Sequence, residues 1–153
     1  MRAHLVDVAP TLLEACGVKV PESVQGKSLL PVLSGKATTH RERVVVEYSE
    51  NEEAMVRTAD WKLVYTTGAR KREDGYETGK PLPGRVVQLF DLKADPDETT
   101  NLADKPEQAG RVKDLTAALE KHLTATAREP KLIPNADDVH ERLAHLLQPR
   151  DVK

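Results

Sequence analysis

One stretch limits what this chain can become: a dense β-branched run that stops at an Asp-Pro step. It reads Val86-Val87-Gln88-Leu89-Phe90-Asp91-Leu92-Lys93-Ala94-Asp95-Pro96-Asp97-Glu98-Thr99-Thr100-Asn101-Leu102. The first half has the β-branched and aromatic density of a half-buried strand. Pro96 fixes its own φ and pushes Asp95 out of the helical region, and an Asp there can bond backbone amides two residues on. Asp97 and Glu98 place acids where a helical turn exposes its first amides, and Asn101 can close that turn. The stretch therefore predicts a strand, a capped turn and a lead into helix. Residues before it supply further strands for the same sheet, and residues after it supply helix to lie on that sheet.

Three earlier runs are strand-like: 44–48, 53–58 and 61–66, joined by short polar links that favour antiparallel pairing over crossovers. The Ala59-Asp60 junction has the length of a tight hairpin but lacks the usual Gly. Residues 67–85 form a long polar connection containing Gly68, Gly75, Gly79, Pro81, Pro83 and Gly84, a length that is either functional or disordered in a compact domain. Helix is expected over 107–127, with Val112, Leu115, Ala118, Leu119 and Leu123 as its apolar stripe. A last amphipathic helix is expected over 136–147, with Val139, Leu143, Leu146 and Leu147 on one side.

The amino-terminal part is helical. Residues 5–17 have Asp7 to cap, Pro10 in the first turn and Gly17 as a left-handed stop. Val8, Leu12, Leu13 and Cys16 share a face that calls for a partner surface, and Cys16 reads there as a small buried hydrophobe. An irregular linker comes next, then a short helix over 29–33 capped by Ser28 and halted by Ser34-Gly35. Met1-Arg2-Ala3-His4 leads straight into this structured sequence, as if the chain were cut from something larger.

Composition excludes several classes. A formal net charge of -2 gives no footprint for nucleic acid or anionic membrane. No apolar run approaches membrane-spanning length, and the amino terminus lacks the apolar core of a signal peptide. One cysteine cannot build an internal disulfide framework.

Side chains that carry chemistry are sparse. Asp95, Asp97 and Glu98 fail as a calcium loop, because Thr100 and Pro106 stand where an EF-hand needs Gly and a bidentate Glu. His140 and His145 are five apart, about 500° around a helix, and do not share a face. His4, His40 and His122 are isolated in sequence and read as surface or packing residues. No Gly-x-Ser-x-Gly elbow occurs, and glycines 75, 79 and 84 are too far apart to cradle phosphate. No metal ligand set and no catalytic residue is assigned. Glu47, Asn51, Arg57 and Lys62 are the more informative group. They fit either a solvated sheet face with cross-strand charge pairs or contact with an anionic ligand, for which Arg57 at a strand end is well suited. The substrate-binding candidates are Glu47, Asn51 and Arg57, with the loop after Thr67 positioned to fold over them.

Three blocks together identify a family resemblance. Val6-Asp7-Val8-Ala9-Pro10-Thr11-Leu12-Leu13-Glu14-Ala15-Cys16-Gly17-Val18, followed by Gln25-Gly26-Lys27-Ser28-Leu29-Leu30-Pro31-Val32-Leu33-Ser34-Gly35, resembles the carboxy-terminal portion of the sulfatases, arylsulfatase-like enzymes of the alkaline phosphatase superfamily. Met55-Val56-Arg57-Thr58-Ala59-Asp60-Trp61-Lys62-Leu63-Val64-Tyr65 is similar to that family's paired strands, and 89–103 to its late Asp-Pro motif. The resemblance covers roughly 5–123 in the expected order.

It implies an α+β fold: a four-stranded antiparallel sheet with a long C-terminal helix packed on it. The N-terminal helices would belong to a missing α/β catalytic domain. Residues 1–40 would then close the large domain, 41–128 would form the C-terminal subdomain, and 129–153 would be an extension with a short amphipathic helix. The resemblance further implies calcium and a formylglycine in that catalytic domain, and a sulfated small molecule or glycan as substrate of the complete enzyme. The formylglycine signature, Cys/Ser-x-Pro/Ser-x-Arg, is absent here, since Cys16 is followed by Gly17-Val18-Lys19-Val20. On this reading the chain braces the catalytic domain, shapes the substrate pocket and is not catalytic alone. Two alternatives stand beside it: a stand-alone binding or scaffolding module derived from a sulfatase, and part of a phosphate or phosphonate ester hydrolase of the same superfamily.

Overall fold

A computed structural model describes residues 3–48, 52–68 and 84–148, and the chain divides into two compact units, Met1–Val44 and Val45–Lys153. The second is built on the sheet. Its strands β1 (Val44–Tyr48), β2 (Glu53–Arg57), β3 (Trp61–Thr66) and β4 (Val86–Asp91) lie side by side in chain order, forming a four-stranded antiparallel sheet. Period-two alternation puts Val56, Leu63 and Leu89 in one cross-strand row, and all three are fully buried. Ala54, Tyr65 and Val87 form the next row.

The β2–β3 turn closes without glycine because Thr58 supplies the missing bonds. Its amide donates to Trp61 O at 2.8 Å, and its Oγ1 accepts from the amides of Asp60 and Trp61 at 3.3 and 3.0 Å. Strand β2 ends at Arg57, one residue short of the expected run. At the base of the β3–β4 connection, Gly68 has φ +70°, and a Cβ there would collide with the carbonyl carbon of Gly84. Only glycine allows that backbone approach. The remainder of the connection, 69–83, lies outside the described residues.

After β4 the chain departs from the expected lead into helix. Asp91 Oδ1 takes the amides of Lys93 and Ala94. Asp95 takes the Thr100 amide at 2.8 Å and the Thr99 hydroxyl at 3.0 Å. Glu98 adopts φ +55°, a left-handed conformation that ends any helical turn, and its carboxylate meets Lys62 Nζ at 2.5 Å. Asn101 is more than a turn closer. Its Oδ1 accepts from the Leu89 amide at 2.9 Å, its Nδ2 donates to Val87 O, and Leu102 N donates to Leu89 O at 2.8 Å. The stretch thus folds back and satisfies the outer edge of β4.

Helix begins at α3 (Ala109–Thr126), after a 3-10 turn over Pro106–Gln108. Leu115, Thr116, Leu119 and Leu123 form its buried stripe, packed across β2 and β3. A further helix, α4 (Val139–Leu146), is shorter than the expected 136–147 because Asp138 caps it, accepting from His140 N at 2.9 Å. Leu143 and Leu147 join the same core, and Arg142 pairs with Glu120 across the α3–α4 contact.

The first unit carries little apolar core. A 3-10 turn over Leu5–Asp7 leads into α1 (Val8–Ala15), and α2 (Leu30–Leu33) comes after it, with Ser28 Oγ accepting from Leu30 N at 3.2 Å. Gly17 takes the left-handed stop at φ +70°. Pro10 and Thr11 are buried, whereas Leu5, Val6, Val8 and Leu12 are 88%, 57%, 43% and 61% exposed. Cys16 is exposed too, so the buried-thiol reading is corrected: the face it shares with Leu12 has no cover within the described residues.

Candidate functional site

The densest polar constellation centres on a residue that local sequence rules make a helix cap. Asp7 stands at the α1 N-cap, but its side chain makes no capping bond. Its carboxylate, fully buried, accepts from the amides of His4 and Lys27, each at 2.8 Å, and from Arg41 Nε and Nη2 at 3.0 and 2.5 Å; His40 Nε2 lies 2.9 Å away. Burial pushes this carboxyl up, but Arg41, the two amides and His40 outweigh it and hold it well below the usual carboxylate range. Thr11 extends the network: its hydroxyl donates to Asp7 O at 2.5 Å and accepts from Leu29 N at 2.8 Å. Gly26 lets the chain in, since a Cβ there would collide with Val6 O. Apart from the His4 amide, the donors lie 20 to 34 residues downstream in sequence, which local capping rules cannot see. The His40-Arg41 step in an otherwise polar loop is the one signal that could have pointed to a buried acid.

On the sheet, the three candidates are spread apart. Glu47 is exposed on β1, near its exit; two residues on from Val45, it shares the face on which Val45 joins the core. Arg57 is exposed at the opposite end of β2, beside the Thr58 turn, and alternates with buried Val56 and Ala54, so it lies on the other face. Asn51 lies outside the described residues. The adjacent Glu52, absent from the sequence-derived set, is buried at φ +50° and accepts the Thr67 hydroxyl at 2.5 Å, extending the β2–β3 pairing past its last rung. Lys62 is engaged with Glu98.

Two further groups lie on the α3 side. Tyr65, 1% exposed, stacks on His140 with centroids 5.6 Å apart and rings within 9° of parallel, and its hydroxyl lies 3.1 Å from His140 Nδ1. Burial, then the Arg85 charge, push the His140 imidazole down, with Asp138 opposing; burial pushes the Tyr65 phenol up. At the turn end of the sheet, Thr58, Trp61, Gly110, Arg111, Asp114 and Leu115 line a cavity of about 410 Å³. The Arg111 guanidinium carbon lies 3.8 Å from the Trp61 ring centroid.

The described residues do not fit the calcium that the family resemblance implies. Among them no group of three His, Cys, Asp or Glu side chains could hold a metal ion. Both oxygens of Asp7 are saturated by donors, Asp95 accepts from its own turn, and Glu98 is paired with Lys62. Among the described residues no helix is long and apolar enough to cross a membrane.

Comparison with known proteins places this geometry. Residues 3–128 match the family model described as N-sulphoglucosamine sulphohydrolase, C-terminal. The chain is similar to N-acetylglucosamine-6-O-sulfatase of Bacteroides thetaiotaomicron, 33% identical over 126 residues, 76% of this chain and 20% of that protein. It is similar to arylsulfatase K of Homo sapiens, 33% identical over 139 residues, 84% of this chain and 22% of that protein. A solved structure of a protein in complex with its substrate D-glucosamine-2-N,6-O-disulfate superposes with a TM-score of 0.60 at 31% identity, over 77% of this chain and 23% of that one. The phosphonate monoester hydrolase of Agrobacterium radiobacter shares the fold, with a TM-score of 0.57 at 20% identity over 83% of this chain and 26% of the other. The chain thus spans about a fifth to a quarter of the proteins it matches.

Proposed function

The chain belongs to the sulfatase family, matching its C-terminal portion, and from that premise we propose that it is the C-terminal part of a sulfuric ester hydrolase whose reacting groups lie in a preceding catalytic domain. The observation that carries the reading is the single continuous match over 3–128, spanning both compact units while covering only about a fifth of each full-length relative. In the complete enzyme the hydrate of a formylglycine would supply the oxygen nucleophile toward sulfur, and calcium would balance the oxyanion charge, both expected in that domain. This chain's part is to brace it. The exposed Leu5, Val6, Val8 and Leu12 are the apolar surface for that contact. The substrate is a sulfated small molecule or glycan, in keeping with the sulfated sugars in the names of its relatives. Glu47 at one end of the sheet, or Arg57 at the other, would touch it, with Asn51 as the third candidate. A single small substrate reaches one end only, so replacing each in the complete enzyme should raise KM at one end and leave it unchanged at the other.

The deciding experiment is to read the gene upstream of Met1 in frame. A Cys/Ser-x-Pro/Ser-x-Arg motif is expected, and a stop codon directly upstream overturns the reading in favour of a stand-alone module. The purified chain should hydrolyse no aryl sulfate; turnover free of contaminating sulfatase would refute the division of labour. A second reading, a phosphate or phosphonate ester hydrolase of the same superfamily, draws on the fold shared with the Agrobacterium enzyme.

A further inference from the structure

We propose that the cavity between the β2–β3 turn and the first turns of α3 is a binding site for a sulfated sugar, an inference that deepens the sulfatase reading and takes its choice of anion from it. Three kinds of chemistry meet there. Arg111 supplies the first. Its guanidinium is held against Trp61 at 3.8 Å, and its Nε donates to Gln108 Oε1 at 3.1 Å, while its two terminal nitrogens carry no hydrogen bond among the described residues. A planar fork fixed at its stem and unfilled at its tip is set for a bidentate oxyanion, and its ordering cost is already met in the free protein.

Asp114, one helical turn on, supplies the second. It lines the same cavity, and among the described residues no ion pair joins it to Arg111. A carboxylate beside the fork disfavours a bare multivalent anion, but it accepts from the hydroxyls of a sugar whose sulfate sits on Arg111. Leu115 and the part of Trp61 that Arg111 leaves uncovered supply the third, an apolar wall for a pyranose ring. The floor is open where it needs to be: a Cβ on Gly110 would meet nothing within 4 Å. At about 410 Å³ the cavity falls in the ordinary range for small ligands.

Trp61 is the single tryptophan of the chain, so its fluorescence reports this cavity alone. The test is a titration of the purified chain with glucosamine 6-sulfate, beside glucosamine, sodium sulfate and glucosamine 6-phosphate. A second measurement, the amide shift of Gly110 and the Nε–H shift of Arg111 by NMR, covers binding that leaves the emission unchanged. Saturable binding of the sulfated sugar is expected in the millimolar range, weakened about tenfold or more by Arg111→Gln and also by Arg111→Lys, which keeps charge but not the fork. Asp114→Asn should weaken the sugar and strengthen bare sulfate. Both residues are exposed on the first turns of α3, so an unchanged circular dichroism spectrum confirms the fold. No saturable shift by either method overturns the site, as does equal binding by Arg111→Gln. Equal affinity for sodium sulfate overturns the sugar, and preference for the phosphate overturns the choice of anion. None of these outcomes depends on turnover, so the site can fail while the sulfatase reading stands, and the reverse.

Discussion

The two compact units reach order by opposite means. Val45–Lys153 buries a contiguous set of aliphatic side chains, Val56, Leu63, Leu89, Leu119 and Leu143 among them, each with no exposed surface. Met1–Val44 leaves Leu5, Val6, Val8, Leu12, Val18 and Leu33 exposed and instead buries one carboxylate under donors from three separate segments. Hydrophobic burial is additive and forgiving, because the loss of one side chain leaves the rest in place. A polar hub is neither: five donors share two oxygens, so losing the acceptor strands all of them at once.

That contrast predicts the largest effect at Asp7. Asp7→Ala leaves Arg41 and two part-buried amides without an acceptor and should cost about 3–5 kcal/mol, the range for breaking a buried ion pair. Measured by hydrogen exchange, peptides within 3–44 should lose protection while those of the sheet keep theirs. Equal loss in both units would break the comparison. Acid should do the same reversibly. The folded-state pKa of Asp7 is depressed, so its contribution is complete above the unfolded carboxyl value of about 3.9 and drains away as pH falls below it.

Next comes the apolar unit. Leu119→Ala, at a fully buried position between α3 and the sheet, should cost about 2–5 kcal/mol and lower Tm for the sheet unit as a single transition. Protection within 3–44 is the control, and its loss would mean that the units unfold together. A smaller effect is expected at Asn101. Its replacement by Ala leaves the amide of fully buried Leu89 without its acceptor, at about 1–3 kcal/mol. Asn101→Asp, which keeps the acceptor, should recover most of it.

The same division separates the features legible in the sequence from those that were not. Strand positions and the α3 stripe were legible because alternation and 3.6-residue periodicity are local and redundant: Leu115, Leu119 and Leu123 fix a face without knowledge of what it meets. Roles that depend on one distant partner were hidden. Asp7 reads as a cap until Lys27, His40 and Arg41 are brought to it. Asn101 reads as the closer of a helical turn, and its bonds to a strand 12 and 14 residues earlier are out of reach of turn rules. Trp61 and Arg111 are fifty residues apart and meet only when α3 lies on the sheet. Glu47 and Arg57, close in the linear string, are separated by the pleat, which sends them to opposite faces.

The smallest predicted effect tests whether a polar pair inside the apolar unit behaves like the Asp7 hub. His140 stacks on Tyr65 with its Nδ1 near the phenol oxygen, and the groups facing it are Arg85 from the start of β4 and Asp138 from its own cap. Burial and Arg85 lower its folded-state pKa, so folding favours the neutral ring. Its contribution is therefore complete above the unfolded value of about 6.5 and is lost as pH falls below it, well before Asp7 begins to protonate. Between about pH 6.5 and 5, hydrogen exchange should speed up in α4 and leave α3 unchanged, because Leu143 and Leu147 still hold α4 to the core. His140→Phe keeps the stack and removes the titration, so it should flatten that pH dependence without unfolding α4. A His140→Phe protein that loses α4 protection at pH 7 would show the hydrogen bond, rather than the stacked ring, to be what holds the helix there.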